Sequence, residues 1–156
     1  MLVFSEYQTD TIDLALDFYG YEDCPKNYEF GPSVRDNFVL HFITKGKGVF
    51  HFNKKEIHLE AGDLFLLPKN KVTYYKADEE EPWSYYWIGI SGTKVSDFMR
   101  FSTLHEKGFL KKTEAETEKI GQFMEQLVHK AEASKMTSHY QLHLLSQIYE
   151  LLYLIG

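Results

Sequence analysis

Six aromatic residues fall within one short stretch of the chain: Tyr74, Tyr75, Trp83, Tyr85, Tyr86 and Trp87. Indole and phenol rings lie flat on the apolar face of a sugar while their N–H and O–H groups bond its hydroxyls. Along Ser84–Ser91 a two-residue period places Tyr85, Trp87 and Gly89 on one face and Tyr86, Ile88 and Ile90 on the other. The first face has polar tips and a glycine, which suits a small-molecule pocket; the second suits packing. Three more polar residues are candidates for the same interior: Arg35, His41 and His51. Arg35 carries a rigid fork of donors that matches ligand oxygens. A ligand stacked on Trp87 or Trp83 would then reach Tyr75, Tyr85, His51 and Arg35.

Each of these residues has a plainer reading. The rings also serve as core. Arg35 pairs equally well with Asp36 or a loop carboxylate, and His41, among Leu40, Phe42 and Ile43, reads as a core histidine. The acidic run Asp78–Glu81 is a solvated loop. Cys24 follows Glu22 and Asp23, whose charges disfavour a thiolate, so it is no nucleophile. No Ser/His/Asp set, phosphate-binding loop or CxxC motif is present.

The elements that must hold these residues are mostly strands. Phe38–Thr44 ends at a turn, Lys45-Gly46-Lys47-Gly48; Val49–Asn53 and Glu56–Glu60 flank a second turn at Lys54-Lys55. Ala61-Gly62-Asp63 leads into Leu64–Leu67, closed by Pro68, and Val72–Lys76 and Ser84–Ser91 complete the set. Short strands separated by turn signals at this spacing predict a sandwich or small barrel. Residues 1–36 read as an N-terminal arm and a loop crossing the barrel mouth, since Gly20, Pro25, Gly31 and Pro32 interrupt any long element. After Gly92 the period becomes helical. A short helix is expected over Val95–Phe101, and a longer one after the capping box Thr113/Glu116. A break follows at Ser134–Thr137, and a last helix runs from about Ser138. This last helix is apolar nearly all round, so one side should lie on the domain and the other on a partner. Leu144, Leu145, Ile148, Leu151, Leu152 and Ile155 are the expected dimer interface. The chain thus divides into an arm and barrel, 1–92, and a helical dimerisation segment, 93–156.

Bulk properties narrow the function. The chain has 156 residues, enough for one domain with a real core, and a net charge of −6 that makes it a poor nucleic-acid binder by itself. One cysteine excludes an internal disulfide and fits a reducing cytoplasm. No signal peptide or membrane span is read, and a cytoplasmic location is expected.

The segments Gly46-Lys-Gly48-Val-Phe-His51 and Leu59-Glu-Ala-Gly62-Asp63-Leu-Phe-Leu-Leu-Pro68 resemble the double-stranded β-helix of the cupins. Many cupins hold a metal with two histidines one residue apart, a glutamate and a later histidine. Here His51 is followed by Phe52 and Asn53, and the later position falls at or near Thr73. One ligand of four does not hold a metal usefully, so neither metal nor other cofactor is expected.

Taken together, Phe18–Pro25, Phe30–Asp36, Phe38–Phe42, Gly46–Gly48, Ala61–Asp63, Tyr74–Asp78 and Pro82–Gly92 resemble the N-terminal sensor domain of AraC-family transcription regulators. The likeness is to the sugar-responsive members of Gram-positive bacteria that control oligosaccharide use, including raffinose- and melibiose-type α-galactosides. It implies a mainly β chain: a cupin-like jelly-roll barrel followed by an antiparallel helical pair. It further implies a homodimer, a sugar effector, and no catalysis. Tyr75, Tyr85 and Trp87 match the family's effector-contacting positions, and Arg35 matches approximately. The likeness also suggests that residues 1–20 close over the ligand. DNA binding would belong to a C-terminal pair of helix-turn-helix motifs, so the chain reads as lacking roughly the last hundred-odd residues of the family pattern. The rival readings are a metal-dependent cupin enzyme and a filled, vestigial barrel that only dimerises.

Overall fold

The computed structural model describes residues 2–6, 13–133 and 138–156. Its strands are β1 Leu2–Glu6, β2 Ala15–Asp23, β3 Glu29–Val34, β4 Phe38–Lys45, β5 Lys47–Phe52, β6 Lys55–Glu60, β7 Leu64–Leu67, β8 Val72–Ala77, β9 Ser84–Ser91 and β10 Phe109–Leu110. They form two antiparallel sheets, β1-β2-β9-β4-β7-β10 and β3-β8-β5-β6, which close as the expected cupin-like jelly roll. The helices are α1 Thr93–Met99, α2 Thr103–Lys107, α3 Thr117–Ala133 and α4 Ser138–Ile155.

Strand periodicity divides the larger sheet into two apolar layers. In β4, Phe38 and Leu40 face outward, while Val39, His41 and Ile43 face the barrel; in β7, Leu64 and Leu66 oppose Phe65 and Leu67 in the same way. These strands are buried on both faces, which is why they read as continuous apolar runs in the sequence. The outward layer continues into the helices: Ile120, Met124, Leu127 and Val128 of α3, with Leu144, Ile148 and Leu151 of α4, share one core with Tyr86, Ile88 and Ile90 of β9. The inward layer is aromatic, with Phe50, Phe65, Tyr75, Trp83, Tyr85 and Trp87 at its centre.

The N-terminal expectation needs correction. Residues 15–20 do not form an arm: they lie in β2, paired along its length with β9 from Ala15↔Ser91 to Asp23↔Ser84. Residues 7–12 of the expected arm lie outside the described residues. The Pro32 break likewise hides a strand, β3. It pairs with β8 through a register shift between Phe30 and Ser33, and that irregularity absorbs Gly31-Pro32. The Thr113/Glu116 capping box does not form either. The chain is pinned just before it by β10 on β7 and by the Lys112 N–H donating to Asp63 Oδ1 at 2.9 Å. A turn therefore occupies 112–115, and α3 begins at Thr117. The break at Ser134–Thr137 lies outside the described residues.

The α4 residues expected at a dimer interface are used within the chain. Leu144, Ile148 and Leu151 are fully buried, Leu152 and Ile155 nearly so, and Leu145 packs half-buried against the same core. Helix α3 and strand β2 cover this side of the helix, which is the broader apolar face. The side left open carries Leu142, Tyr149 and Tyr153, exposed by 72%, 41% and 78%.

Candidate functional site

A cavity of about 140 Å³ opens at one end of the barrel. β9 supplies Tyr85 and Trp87, on the face that period two assigned to a pocket. The next inward position on β9 is Gly89, where a Cβ would collide with the Phe18 ring. Glycine there lets Phe18, its register partner on β2, lie across the cavity wall. β8 brings Tyr75, β4 brings Val39 and His41, and Phe30 and Arg35 come from β3 and the turn that follows it. Glu22 of β2 and Tyr28 complete the polar rim.

The electrostatics favour neutral hydrogen-bonding groups beneath a charged rim. Burial, assisted by the nearby Arg35 guanidinium, pushes His41 down to about 3, so its imidazole is uncharged at neutral pH. That ring stacks on Phe65 at 4.3 Å and meets Tyr75 and Tyr85 edge-on, and its Nδ1 has no partner among the described residues. Burial raises the phenols of Tyr75 and Tyr85 well above their ordinary value, which keeps both as hydroxyls. Arg35 does not pair with Asp36. Its guanidinium sits over Phe18 and Phe30 at 5.0 and 5.9 Å, and its Nε donates to Asn37 Oδ1 at 3.4 Å. Burial raises the Glu22 carboxyl. Burial also pushes the Cys24 thiol up to about 12, which leaves it inert as a nucleophile.

Of the seven expected contact residues, Arg35, His41, Tyr75, Tyr85 and Trp87 meet at this cavity. His51 and Trp83 do not. His51 points to the outer face of β5, edge-on to Tyr74 at 5.1 Å, because Phe50 and Phe52 take the inward phase. Their larger apolar surface decides that phase. Trp83 is fully buried, stacked on Phe65 at 5.3 Å, in space that Gly48 leaves open: a Cβ there would stand 2.5 Å from the indole. It plugs the barrel below the cavity. Among the described residues, no group of three or more His, Cys, Asp and Glu side chains is placed to hold a metal, and His51 and Thr73 lie on opposite faces of their sheet. Sequence reasoning missed Phe18, Glu22, Tyr28 and Phe30. Their signal is available only once β2 and β3 are recognised as strands, with Tyr28 in the connection between them.

A barrel whose mouth is ringed by polar-tipped aromatics fits the family described as "AraC-like ligand binding domain", which matches residues 15–152. The chain belongs to that family. Among curated relatives, it is 46% identical over 105 residues to the Msm operon regulatory protein of Streptococcus mutans, covering 67% of this chain and 38% of that protein. It is 41% identical over 100 residues to the raffinose operon transcriptional regulatory protein of Pediococcus pentosaceus, covering 62% and 36%. It is 33% identical over 98 residues to the lactose operon transcription activator of Staphylococcus xylosus, covering 63% and 35%. The chain matches well under half the length of these relatives. Among solved structures, the protein YhaK of Escherichia coli superposes with a TM-score of 0.50 at 14% identity, covering 59% of this chain and 45% of that one, a likeness of fold alone. No helix among the described residues is long and apolar enough to cross a membrane.

Proposed function

We propose that this AraC-like domain is the effector sensor of a cytoplasmic transcription regulator of oligosaccharide use, and that it binds its sugar without transforming it. The observation that carries the proposal is the mouth cavity, where Trp87 and Tyr85 on one strand face Arg35 and His41 from others. The relatives named for the raffinose and lactose operons support a sugar as the ligand. β9 carries Trp87 inside the barrel and Ile88 beneath the helices, so a ligand that moves one shifts the support of α3 and α4. DNA contact is assigned to a separate helix-turn-helix part of a longer protein. Isothermal titration with raffinose, melibiose, stachyose, isomaltose and sucrose tests the proposal; one saccharide should bind and saturate. Silence across the panel overturns it.

Pairing of two copies is proposed through the open side of α4. Leu142, Tyr149 and Tyr153 fall within about 40° of arc at 100° per residue. Leu142→Asp with Tyr153→Asp should give folded monomers on size exclusion, whereas Leu144→Asp with Leu151→Asp should unfold the domain. A purely structural, dimerising barrel is the second reading, favoured by the aromatic plug that fills the space below the cavity. Its consequence is the silent titration.

A further inference from the structure

The size of the cavity limits what can enter it. At about 140 Å³ it is well below the roughly 300–1,000 Å³ of pockets that bury whole drug-sized ligands. That is room for one pyranose ring and not for two linked ones. Nor can a second ring go deeper. Below the cavity, Phe65, Tyr75, Trp83 and Tyr85 pack ring against ring at 5.3 to 6.2 Å.

The rim is charged in both senses. Glu22 and Arg35 both line the cavity, yet they form no ion pair with each other or with another charged side chain among the described residues. Arg35 is held instead by the Phe18 and Phe30 rings and by Asn37, which leaves its terminal nitrogens free of described partners. The half-buried Glu22 carboxylate accepts no hydrogen bond from a described side chain. A carboxylate and a guanidinium lining one cavity, neither hydrogen-bonded at its terminal atoms by a described side chain, suit a ligand that donates and accepts at once. Each hydroxyl of an uncharged sugar does so. A sugar acid or sugar phosphate would set a like charge against Glu22.

We infer that the cavity takes a single terminal, uncharged glycosyl ring, with Glu22 as the residue that reads its hydroxyl pattern and the rest of the saccharide left outside the mouth. This rests on the sugar-sensor proposal above. A hydroxyl turned to the other face of the ring would leave the partly buried carboxylate without a donor, and sites built around such groups discriminate strongly.

The test is calorimetric titration of the whole chain, wild type and Glu22→Gln, with two pairs of ligands. The pairs are raffinose with methyl α-galactoside, and isomaltose with methyl α-glucoside. In the pair that binds, the methyl glycoside should come within about tenfold of the longer sugar, and the two methyl glycosides should differ by at least about tenfold. In Glu22→Gln that difference should shrink to about threefold or less, while Glu22→Asp, which keeps the charge, should retain the preference. Unchanged thermal melting confirms that the variants fold. A methyl glycoside more than about a hundredfold weaker than its parent overturns the one-ring site. An unaltered epimer ratio in Glu22→Gln overturns the role of Glu22. Both results leave the sensor proposal standing, whereas silence of the chain across the whole saccharide panel above removes it together with this inference.

Discussion

The two ends of the barrel are built from the same kinds of residue and do opposite things. At the closed end, Trp83, Phe65 and Phe50 fill the interior completely; each is fully buried, and the rings stack or tilt within 5.3 Å of a neighbour. At the open end, Trp87 and Tyr85 meet edge-on at 5.8 Å beside a gap, with Arg35 and Glu22 on its rim. An aromatic residue is therefore no sign of a site by itself. What distinguishes the mouth is polar atoms left beside space, where the plug leaves none but the buried Trp83 Nε1.

The strongest way to break this contrast is to empty each end in turn. Trp83→Ala should cost about 3–5 kcal/mol of stability in urea unfolding, because the plug cannot collapse around the lost indole. Trp87→Ala, already beside a gap, should cost clearly less while removing the heat of sugar binding. Equal losses of stability would mean that the two ends are one core. A second test uses the histidine between them. The folded chain holds His41 near 3 against an ordinary 6.5, so the unfolded chain takes up the proton first. Stability from this group is full above about 6.5 and falls by about 1.4 kcal/mol per pH unit as pH drops towards 3. His41→Phe should flatten acid unfolding by that slope; curves that stay parallel would put His41 in contact with water. Tyr85→Phe removes one hydroxyl from the mouth and should weaken sugar binding by about tenfold with melting unchanged. The smallest effect is expected outside the barrel: His51→Ala should alter stability by no more than about 0.5 kcal/mol and leave binding intact.

Much of this was legible from residue order. The strands from Phe38 to Ser91 follow turn chemistry and two-residue periodicity, and β7 and β9 have the bounds that Pro68 and Gly92 mark. The pocket face of β9 follows from the same period. Three things were not legible. Gly31-Pro32 signals a loop, yet an irregular edge strand accommodates both residues, so the wall carrying Phe30 was hidden. The phase of β5 depends on which residues outweigh their neighbours; Phe50 and Phe52 outweigh a histidine, and the likeness to a metal position misled. For α4, an apolar surface nearly all round says that two sides are covered but not which side meets the chain's own sheet. The positions of α3 and β2 decide that Leu144 and Leu151 turn inward and Tyr153 outward.

The contrast between the ends has a direct optical test, because the chain holds only two tryptophans, one in each region. Trp83→Phe leaves Trp87 at the mouth as the sole indole, and Trp87→Phe leaves Trp83 in the plug. Titrated with the saccharide that binds in calorimetry, the first variant should show a saturable change in emission at the calorimetric affinity, and the second should stay silent. A response carried by Trp83, with Trp87 unmoved, would contradict the account and place the ligand away from the barrel mouth.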